Sequence, residues 1–598
     1  MSSLSVNVAR SGTAEPDRVR RMLEAAPHRG DQLSIRTLGA CTLGVSRRAD
    51  DDQAGISSGE RLIAAFSGRL DNGPQLRSEL ARAGNAARGD ATADVVEAAF
   101  STWGEDAPSR LRGQFAVAVS DGERIWCFRD QVGFRAIYYR DDEQGVFLGS
   151  EAKQVLAGAG VARVADLDAV EAILFGYGGG PDASCPLRGV RRMNAASLVT
   201  ADRDGVSAER LYWHPERLVE TGRDSPDEAR ERFADLFDQA VGRCLSGRDA
   251  ISLSGGIDST AVAAFAAPGH EDRFGSPLAA LSAVFPDLPG VDESSWIEMV
   301  VEYLKMPLHT YRPHSKSLDD VERWCALLDA PTPVVSVPEL DENYALAAQL
   351  GHRSLLTGEL AEYVIANTGN LAGHLLTHGR VLALSRLLQT QRRRGARLPF
   401  MVKQFVPALV PGRIANAYLR ARGVQRAVPP PDWITRREIR DVPRADLLPP
   451  IRGRWGALQT KAFGGASETL AADELVSSMH GVDVRRPFVD VDLWEFFLSL
   501  RAEVKFPDTR RKTLVKSCLR GRLPDEILDR KDKTVFGEHL LTHADYDLIG
   551  RYVIDPPHRF DGVDYARLAE RIKSRNFTLW EFCWARDLTS VHAFLAQL

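Results

Sequence analysis

The stretch Ser254-Gly255-Gly256-Ile257-Asp258-Ser259 lies between an apolar run containing Ala250, Ile251 and Leu253 and a small-residue run from Thr260 to Ala267. Together these segments spell a strand, a tight loop and a helix N-terminus. Adjacent glycines let the backbone turn sharply and approach a ligand with no Cβ in the way. The loop N–H groups and the positive end of the helix then face an anion. Pyrophosphate is the anion that suits such a cradle. No G-x-x-x-x-G-K-[ST] occurs in the chain, so the loop that grips β and γ phosphates for γ-phosphoryl transfer is absent.

The Ser-Gly-Gly-x-Asp-Ser pattern resembles the pyrophosphate loop of ATP pyrophosphatases, which split ATP between its α and β phosphates. That resemblance implies ATP contacts from Leu253, Ser254, Gly255, Gly256, Asp258 and Ser259. It also puts Mg²⁺ on Asp258, since magnesium prefers carboxylate and phosphate oxygens.

A chain of 598 residues is long enough for two to four domains with ordinary hydrophobic cores. The net charge of −5 gives no global reason to expect nucleic acid. Cys41, Cys127, Cys185, Cys244, Cys325, Cys518 and Cys583 are scattered and never in C-x-x-C spacing, which argues against a disulfide framework and a structural zinc site. There is no apolar signal-peptide core before Arg10 and no uninterrupted apolar run of membrane-spanning length. The expected home is a reducing cytoplasm.

The first 200 or so residues read as short strands with turn punctuation. Ala64-Ala65-Phe66, Gln114 to Val119, Arg124 to Phe128 and Ala136 to Tyr139 are the strands, with Asp121-Gly122 as a hairpin turn. The order of features resembles the class II glutamine amidotransferase domain of asparagine synthetase B, an αββα sandwich. It runs through His28-Arg29-Gly30-Asp31, Ser67-Gly68-Arg69-Leu70-Asp71-Asn72, Leu111 to Ala116 and Arg129-Asp130-Gln131-Val132-Gly133. In that family glutamine is hydrolysed by an N-terminal cysteine, whereas this chain begins Met1-Ser2-Ser3 and its nearest cysteine is Cys41. A serine hydroxyl is far less nucleophilic than a thiolate near pH 7. The expectation is a retained scaffold over 1–213 without glutaminase activity.

After an interruption at residues 214–225, Ser225-Pro226-Asp227-Glu228 opens a helix with a capping serine, proline in the first position and a carboxylate at N3. Phe233, Leu236, Phe237, Ala240, Val241 and Cys244 follow at helical spacing. Leu281 to Phe285 and Ser354-Leu355-Leu356 read as further strands, with Asp292-Glu293-Ser294 opening a helix between them. Strands alternating with helices predict a doubly wound parallel sheet over 225–598 with a helical C-terminal part. Its ligands lie beyond the strand C-termini, so Ser254, Val284 and Gly358 should meet at one nucleotide site. On the family resemblance, Val284 and Gly358 flank adenosine.

Thr357-Gly358-Glu359-Leu360-Ala361-Glu362 stands where asparagine synthetases usually carry Gly-x-Gly-Ala-Asp, whose aspartate is the second magnesium ligand. Here Glu362 takes that place, one methylene longer. Leu360 replaces a glycine and is expected to stiffen or crowd the loop.

Farther along, Gly481 to Asp490 resembles the segment that closes the family's acceptor pocket, and Lys512 to Arg520 its basic helix. Arg530-Lys531-Asp532-Lys533-Thr534-Val535-Phe536 completes the series. In β-lactam and carbapenam synthetases a lysine of this last segment approaches the pyrophosphate and the cyclising acyl intermediate. Lys533 is the first choice for that role and Lys531 the second, on the Lys-x-x-Phe spacing.

The pairs His374/His378 and His539/His543 have helical zinc spacing but no Glu of an H-E-x-x-H and no evident third ligand, so they read as surface or packing histidines. From Arg386 to Arg444 about fourteen basic residues face three acidic ones, Asp432, Glu438 and Asp441. A solvated face is the default reading, and a peptide or partner surface the alternative. Trp433 sits in a segment also seen at this place in the family.

Joined together, these features describe adenylation of a carboxylate followed by amide formation. Without a glutaminase cysteine the amine is expected to belong to the substrate, and the product is a lactam. The basic insert, the Arg485-Arg486-Pro487-Phe488 run and the lysine pattern look most like lasso peptide macrolactam cyclases. That resemblance implies ATP, Mg²⁺, a cleaved core peptide as substrate, a leader peptidase and a precursor-recognition protein. The alternatives are a small-molecule β-lactam or amide synthetase, an asparagine synthetase using free ammonia, and a catalytically decayed scaffold.

Overall fold

The computed structural model describes residues 2–12, 14–175, 185–332, 337–362, 371–403, 405, 430–435, 454–460, 467–507, 512–530 and 537–598. Its strands are β1 Ser2–Ala9, β2 Gln32–Leu38, β3 Cys41–Arg47, β4 Gly55–Ile56, β5 Ile63–Leu70, β6 Gly113–Ser120, β7 Ile125–Arg129, β8 Tyr138–Asp142 and β9 Gly145–Gly149. There follow β10 Arg191–Arg192, β11 Ser197–Asp202, β12 Gly205–Val206, β13 Arg210–Leu211, β14 Asp249–Ser252, β15 Ala279–Ala283, β16 Leu308–Tyr311, β17 Ser354–Leu356 and β18 Asp483–Arg485.

The first thirteen strands make two antiparallel sheets, ordered β10-β8-β9-β1-β3-β2 and β12-β11-β7-β6-β5-β4, with β13 on β11. Alternation in β1 explains the stacking. Leu4, Val6 and Val8 share one face and meet Ala65, Ala116 and Ala118 of the second sheet in a common core. The outer faces are covered by helices. Val19, Met22 and Leu23 of helix Pro16–Glu24 pack with Val155 of helix Ala152–Ala159 over Phe147. Leu76, Leu80 and Val96 of helices Gly73–Arg82 and Thr92–Trp103 cover Phe66, Phe115 and Phe128. This is the expected αββα sandwich.

The expected strand at Ala136 to Tyr139 begins later. The Asp130 carboxylate accepts from the N–H groups of Val132, Gly133, Phe134 and Arg135, which holds this stretch as a turn until β8.

The second sheet system is parallel, in the order β16-β15-β14-β17-β18. Chain order leaves β14 toward β15 and β16 on one side and returns to β17 and β18 on the other. The switch point therefore lies at the carboxyl end of β14. Helices Pro226–Arg243 and Ile257–Phe274 bury Phe233, Phe237, Val241 and Val262 on one face, while Tyr344, Ala347 and Val476 cover the other. The capping box is as read: Ser225 Oγ accepts from the Glu228 N–H and Glu228 Oε2 from the Ser225 N–H. The strand expected at Leu281 to Phe285 sits two residues earlier, because the Phe285 N–H turns to Asp292 Oδ1 at 2.7 Å and closes a loop.

The helical C-terminal part, ending in Leu579–Leu595, shares a core with the first domain: Phe582, Trp584 and Leu588 join the cluster of Val19 and Phe147. Trp433, fully buried, meets Trp584 edge-on. Charge fills another part of the domain boundary. Arg29 pairs with Glu151 and Glu474, Arg135 with Glu474 and Asp483, and Arg69 with Asp71 and Asp483. Among the described residues no helix is long and apolar enough to cross a membrane.

Candidate functional site

The loop after β14 is organised by its own serines. Ser254 Oγ and Ser259 Oγ lie 2.9 Å apart, the Ser254 N–H donates to Ser259 Oγ, and the Gly256 N–H points to Ser254 Oγ. Leu253 continues the sheet by donating to the Leu281 carbonyl. Gly256 caps the helix Ile257–Phe274, which places Asp258 in the first turn, where the dipole favours a carboxylate.

The loop is also clamped from outside. Glu293 Oε2 accepts from the Gly255 N–H at 3.0 Å, and Arg530 donates to the Gly255 carbonyl at 2.8 Å. The Arg530 guanidinium pairs with Glu293 at 2.9 Å and lies over the Trp296 ring. A Cβ at Gly255 would come within 3.0 Å of Trp296 and Glu293 side-chain atoms, so glycine is required by close approach.

The loop after β17 docks on the same helix end. A Cβ built on Gly358 would stand 2.3 Å from the Ser259 nitrogen and 2.4 Å from the Asp258 carbonyl carbon. No side chain fits there. The next residues rise into the left-handed region at Leu360, φ 62°. Leucine there keeps a partly buried contact with the main core but forces a backbone that glycine would adopt without strain. Lys512 is left-handed as well, φ 65°. Two strained non-glycine residues thus flank Asp258.

Lys512 Nζ reaches Asp258 Oδ2 at 2.5 Å and Glu362 Oε1 at 3.9 Å. The two carboxylates expected to share a metal therefore converge on one cation. Among the described residues no three His, Cys, Asp or Glu side chains form a preassembled metal cage. Two carboxylates completed by phosphate oxygens nevertheless suit Mg²⁺, which is commonly held in that way.

Of the residues read from sequence, Leu253, Ser254, Gly255, Gly256, Asp258, Ser259 and Gly358 meet at the carboxyl ends of β14 and β17. Val284 extends β15 by donating to the Tyr311 carbonyl. Glu362 reaches the group through Lys512. Lys531 and Lys533 lie outside the described residues. The sequence reading missed Lys512, Glu293 and Arg530 as site residues. Only a lysine opening the short helix Thr513–Leu519 could have signalled the first.

The segment Arg485-Arg486-Pro487-Phe488 is framework. Arg485 pairs with Asp483 and donates to the Cys244 carbonyl; Arg486 pairs with Glu359 and Asp473. Phe488 is fully buried against Phe237. His374 pairs with Glu220 and stacks on Trp455, and His539 pairs with Glu339. Both are packing groups.

In the other domain, at the amino end of the interior strand β1, Ser2 Oγ lies 3.0 Å from Ser67 Oγ, and Ser2 is buried. Cys41 pairs in register with Val8 at the far end of β1, and burial pushes its thiol up to about 11.

This geometry defines an adenylating site of the ATP pyrophosphatase kind. The chain belongs to the asparagine synthase family, whose profile matches residues 232–591, and a glutamine amidotransferase domain profile matches residues 1–213. The family's enzymes are ATP-dependent amide ligases that release AMP and pyrophosphate. The chain is similar to asparagine synthetase [glutamine-hydrolyzing] 3 of Bacillus subtilis strain 168, 25% identical over 79% of this chain and 75% of that protein. It is also similar to Amidase chry2 of Gibberella zeae, 21% identical over 81% of this chain and 78% of that one. Among solved structures, the allosteric regulatory enzyme of purine biosynthesis aligns at 12% identity and a TM-score of 0.28, covering 53% of this chain and 81% of that one.

Proposed function

We propose that this ligase activates a carboxylate of its substrate as the acyl-adenylate and closes an amide with an amine carried by the same molecule. The product is a lactam, and the substrate a peptide closed to a macrolactam of the lasso kind. The observation that carries the reading is the pairing of an assembled adenylation loop with an amidotransferase end that holds the Ser2–Ser67 hydroxyl pair and no thiol. On this proposal the amidotransferase end is a scaffold that supplies no ammonia, beside an activating half that is kept.

In the first step a carboxylate oxygen attacks the α-phosphorus of ATP and pyrophosphate leaves. Backbone N–H groups of the Ser254 loop and the helix end hold the departing anion, and Lys512 supplies a cation beside Asp258. Mg²⁺, when bound, would be held by Asp258 and Glu362 and would neutralise phosphate charge. In the second step the amine nitrogen attacks the acyl carbon, AMP leaves with the bonding pair, and the amine gives up a proton. Lys533, with Lys531 as second choice, is assigned to the charge that builds on the departing phosphate.

Mass spectrometry of a candidate core peptide with ATP tests the proposal. Loss of one water from the peptide with stoichiometric pyrophosphate supports it. Conversion of aspartate with ammonia would assign the chain to free-ammonia asparagine synthesis. Glutamate release from glutamine, abolished in Ser2→Ala, would restore the amidotransferase role. Absence of any ATP–pyrophosphate exchange would leave a decayed scaffold.

A further inference from the structure

The helices Val381–Arg393 and Leu398–Lys403 are basic without a balancing carboxylate, and they pack beside helix Leu371–Thr377. Between Val381 and Lys403 stand Arg386, Arg392, Arg393, Arg394, Arg397 and Lys403, with no Asp or Glu, in a protein whose net charge is −5. One side of this unit is packed: Leu384 and Leu387 join Leu371, Leu375, Trp455 and Phe506 in a core of their own. The helices are tied to the interdomain linker by Glu220, which takes both Arg380 and His374.

The other side faces outward. Leu382, Arg386, Gln389 and Arg393 follow at intervals of four, three and four, so they form one stripe of helix Val381–Arg393. All four are exposed. Leu382 keeps 78% of its surface, Val381 69%, Leu398 72% and Val402 56%. Helix-terminal stabilisation explains part of the basic cluster, because Arg392, Arg393 and Arg394 sit at the C-terminal end where the dipole favours cations. It does not explain Arg386 seven residues earlier, Arg397 beyond the helix, or four bare aliphatic side chains among them.

We infer that this face docks an acidic, leucine-bearing segment of the peptide substrate, outside the part that reacts. The inference rests on the peptide reading above for the identity of the occupant. Arginine predominates over lysine here, and its planar fork matches carboxylates with two parallel hydrogen bonds. Leu382 on the arginine stripe, with Val381, Leu398 and Val402 also exposed on these two helices, suits a partner with its own apolar side chains, in the manner of a helix or strand laid across a surface. A phosphate backbone has no use for them. An anionic bilayer would call for one continuous apolar face rather than aliphatic positions broken by arginines.

The test uses the full chain and a fluorescein-labelled 14-residue peptide of repeating Glu and Leu, followed by fluorescence anisotropy. Wild type should bind it at least tenfold more tightly than a counterpart with Lys for Glu, with affinity falling as salt rises. The double variant Arg386→Glu/Arg393→Glu and the single Leu382→Ser should each weaken binding about tenfold, with circular dichroism unchanged. Equal affinity for the two peptides, or wild-type affinity in both variants, overturns the inference. So does tighter binding to phosphatidylserine vesicles or to a DNA 20-mer than to the acidic peptide. ATP–pyrophosphate exchange, measured in parallel, separates the two readings. Peptide binding without exchange removes the ligase reading and leaves the surface; exchange without peptide binding removes the surface and leaves the ligase.

Discussion

Lys512 Nζ stands 2.5 Å from Asp258 Oδ2 and is the shared partner of Asp258 and Glu362. Two loops far apart in sequence thus meet on one ammonium, held there by a left-handed backbone at Lys512 itself. Three consequences follow for a magnesium-dependent site. The ammonium keeps two carboxylates from repelling each other; with magnesium and ATP bound as proposed, it would also stand next to the metal and stay near the pyrophosphate as charge develops.

Replacing Lys512 by Met should therefore lower ATP–pyrophosphate exchange by roughly 10²-fold while lowering the Mg²⁺ concentration needed for half-maximal rate, because a competing cation has been removed. A merely structural ion pair gives the opposite magnesium response, since loss of loop order weakens metal binding. Titrating exchange against Mg²⁺ in both proteins decides between them. Asp258→Ala should abolish exchange, and Glu362→Ala should reduce it severely; normal turnover in the latter would remove Glu362 from the metal site.

Gly358→Ala places a methyl where the Ser259 nitrogen and Asp258 carbonyl carbon already stand. The clash is with backbone, so the β17 loop must retreat. Exchange should fall by roughly 10²-fold, as expected when a small misplacement spoils reacting geometry, and stability by about 1–3 kcal/mol. Full activity in this variant would show that the two loops are not fixed against each other during catalysis.

The adenylation loop was legible because its chemistry is local: two glycines, two serines and an aspartate lie within six residues of a strand end. The doubly wound sheet was legible from the alternation of the strands at Ala250, Leu281 and Ser354 with helices between them. Lys512, Glu293 and Arg530 were not, because Glu293 reaches the loop across 38 residues and Lys512 and Arg530 across more than 250, and nothing near them in sequence marks the direction of the side chain. Gly481 to Asp490 resembles an acceptor-pocket segment in sequence, and what sequence could not tell is that its Arg485 pairs with Asp483 and its Arg486 with Glu359 and Asp473. A basic residue's partner is a tertiary property. Leu360 was expected to crowd its loop, and its positive φ shows the form the crowding takes.

Under the proposed ring closure, Lys533→Met should slow water loss from the peptide by roughly 10²-fold with little change in ATP affinity, since the role proposed for Lys533 lies in the second transition state. Lys533→Arg should rescue only in part, because a planar fork fills the space differently from a compact ammonium. Wild-type closure in Lys533→Met together with a dead Lys531→Met would transfer the role to Lys531.

The last expectation concerns Lys505, which is buried beside the basic helical unit. Its ammonium has Gln459 Oε1 at 3.4 Å and the Phe497 ring at 5.7 Å. Burial pushes its pKa down to about 7, partly offset by attraction to Glu220. An unfolded lysine titrates near 10.4, so between about pH 7 and 10.4 the unfolded chain binds more protons than the folded one and stability rises with pH. The penalty of the buried charge is absent at the top of that window and fully present below its lower edge. Lys505→Met fills the same space without a charge and should be more stable than wild type at pH 7, by about 1–3 kcal/mol. That advantage should shrink steadily toward pH 10. Urea midpoints of both proteins at half-unit steps from pH 6.5 to 10 give the difference curve. A flat difference would mean that the ammonium is solvated, and a larger advantage at high pH would reverse the assigned cause.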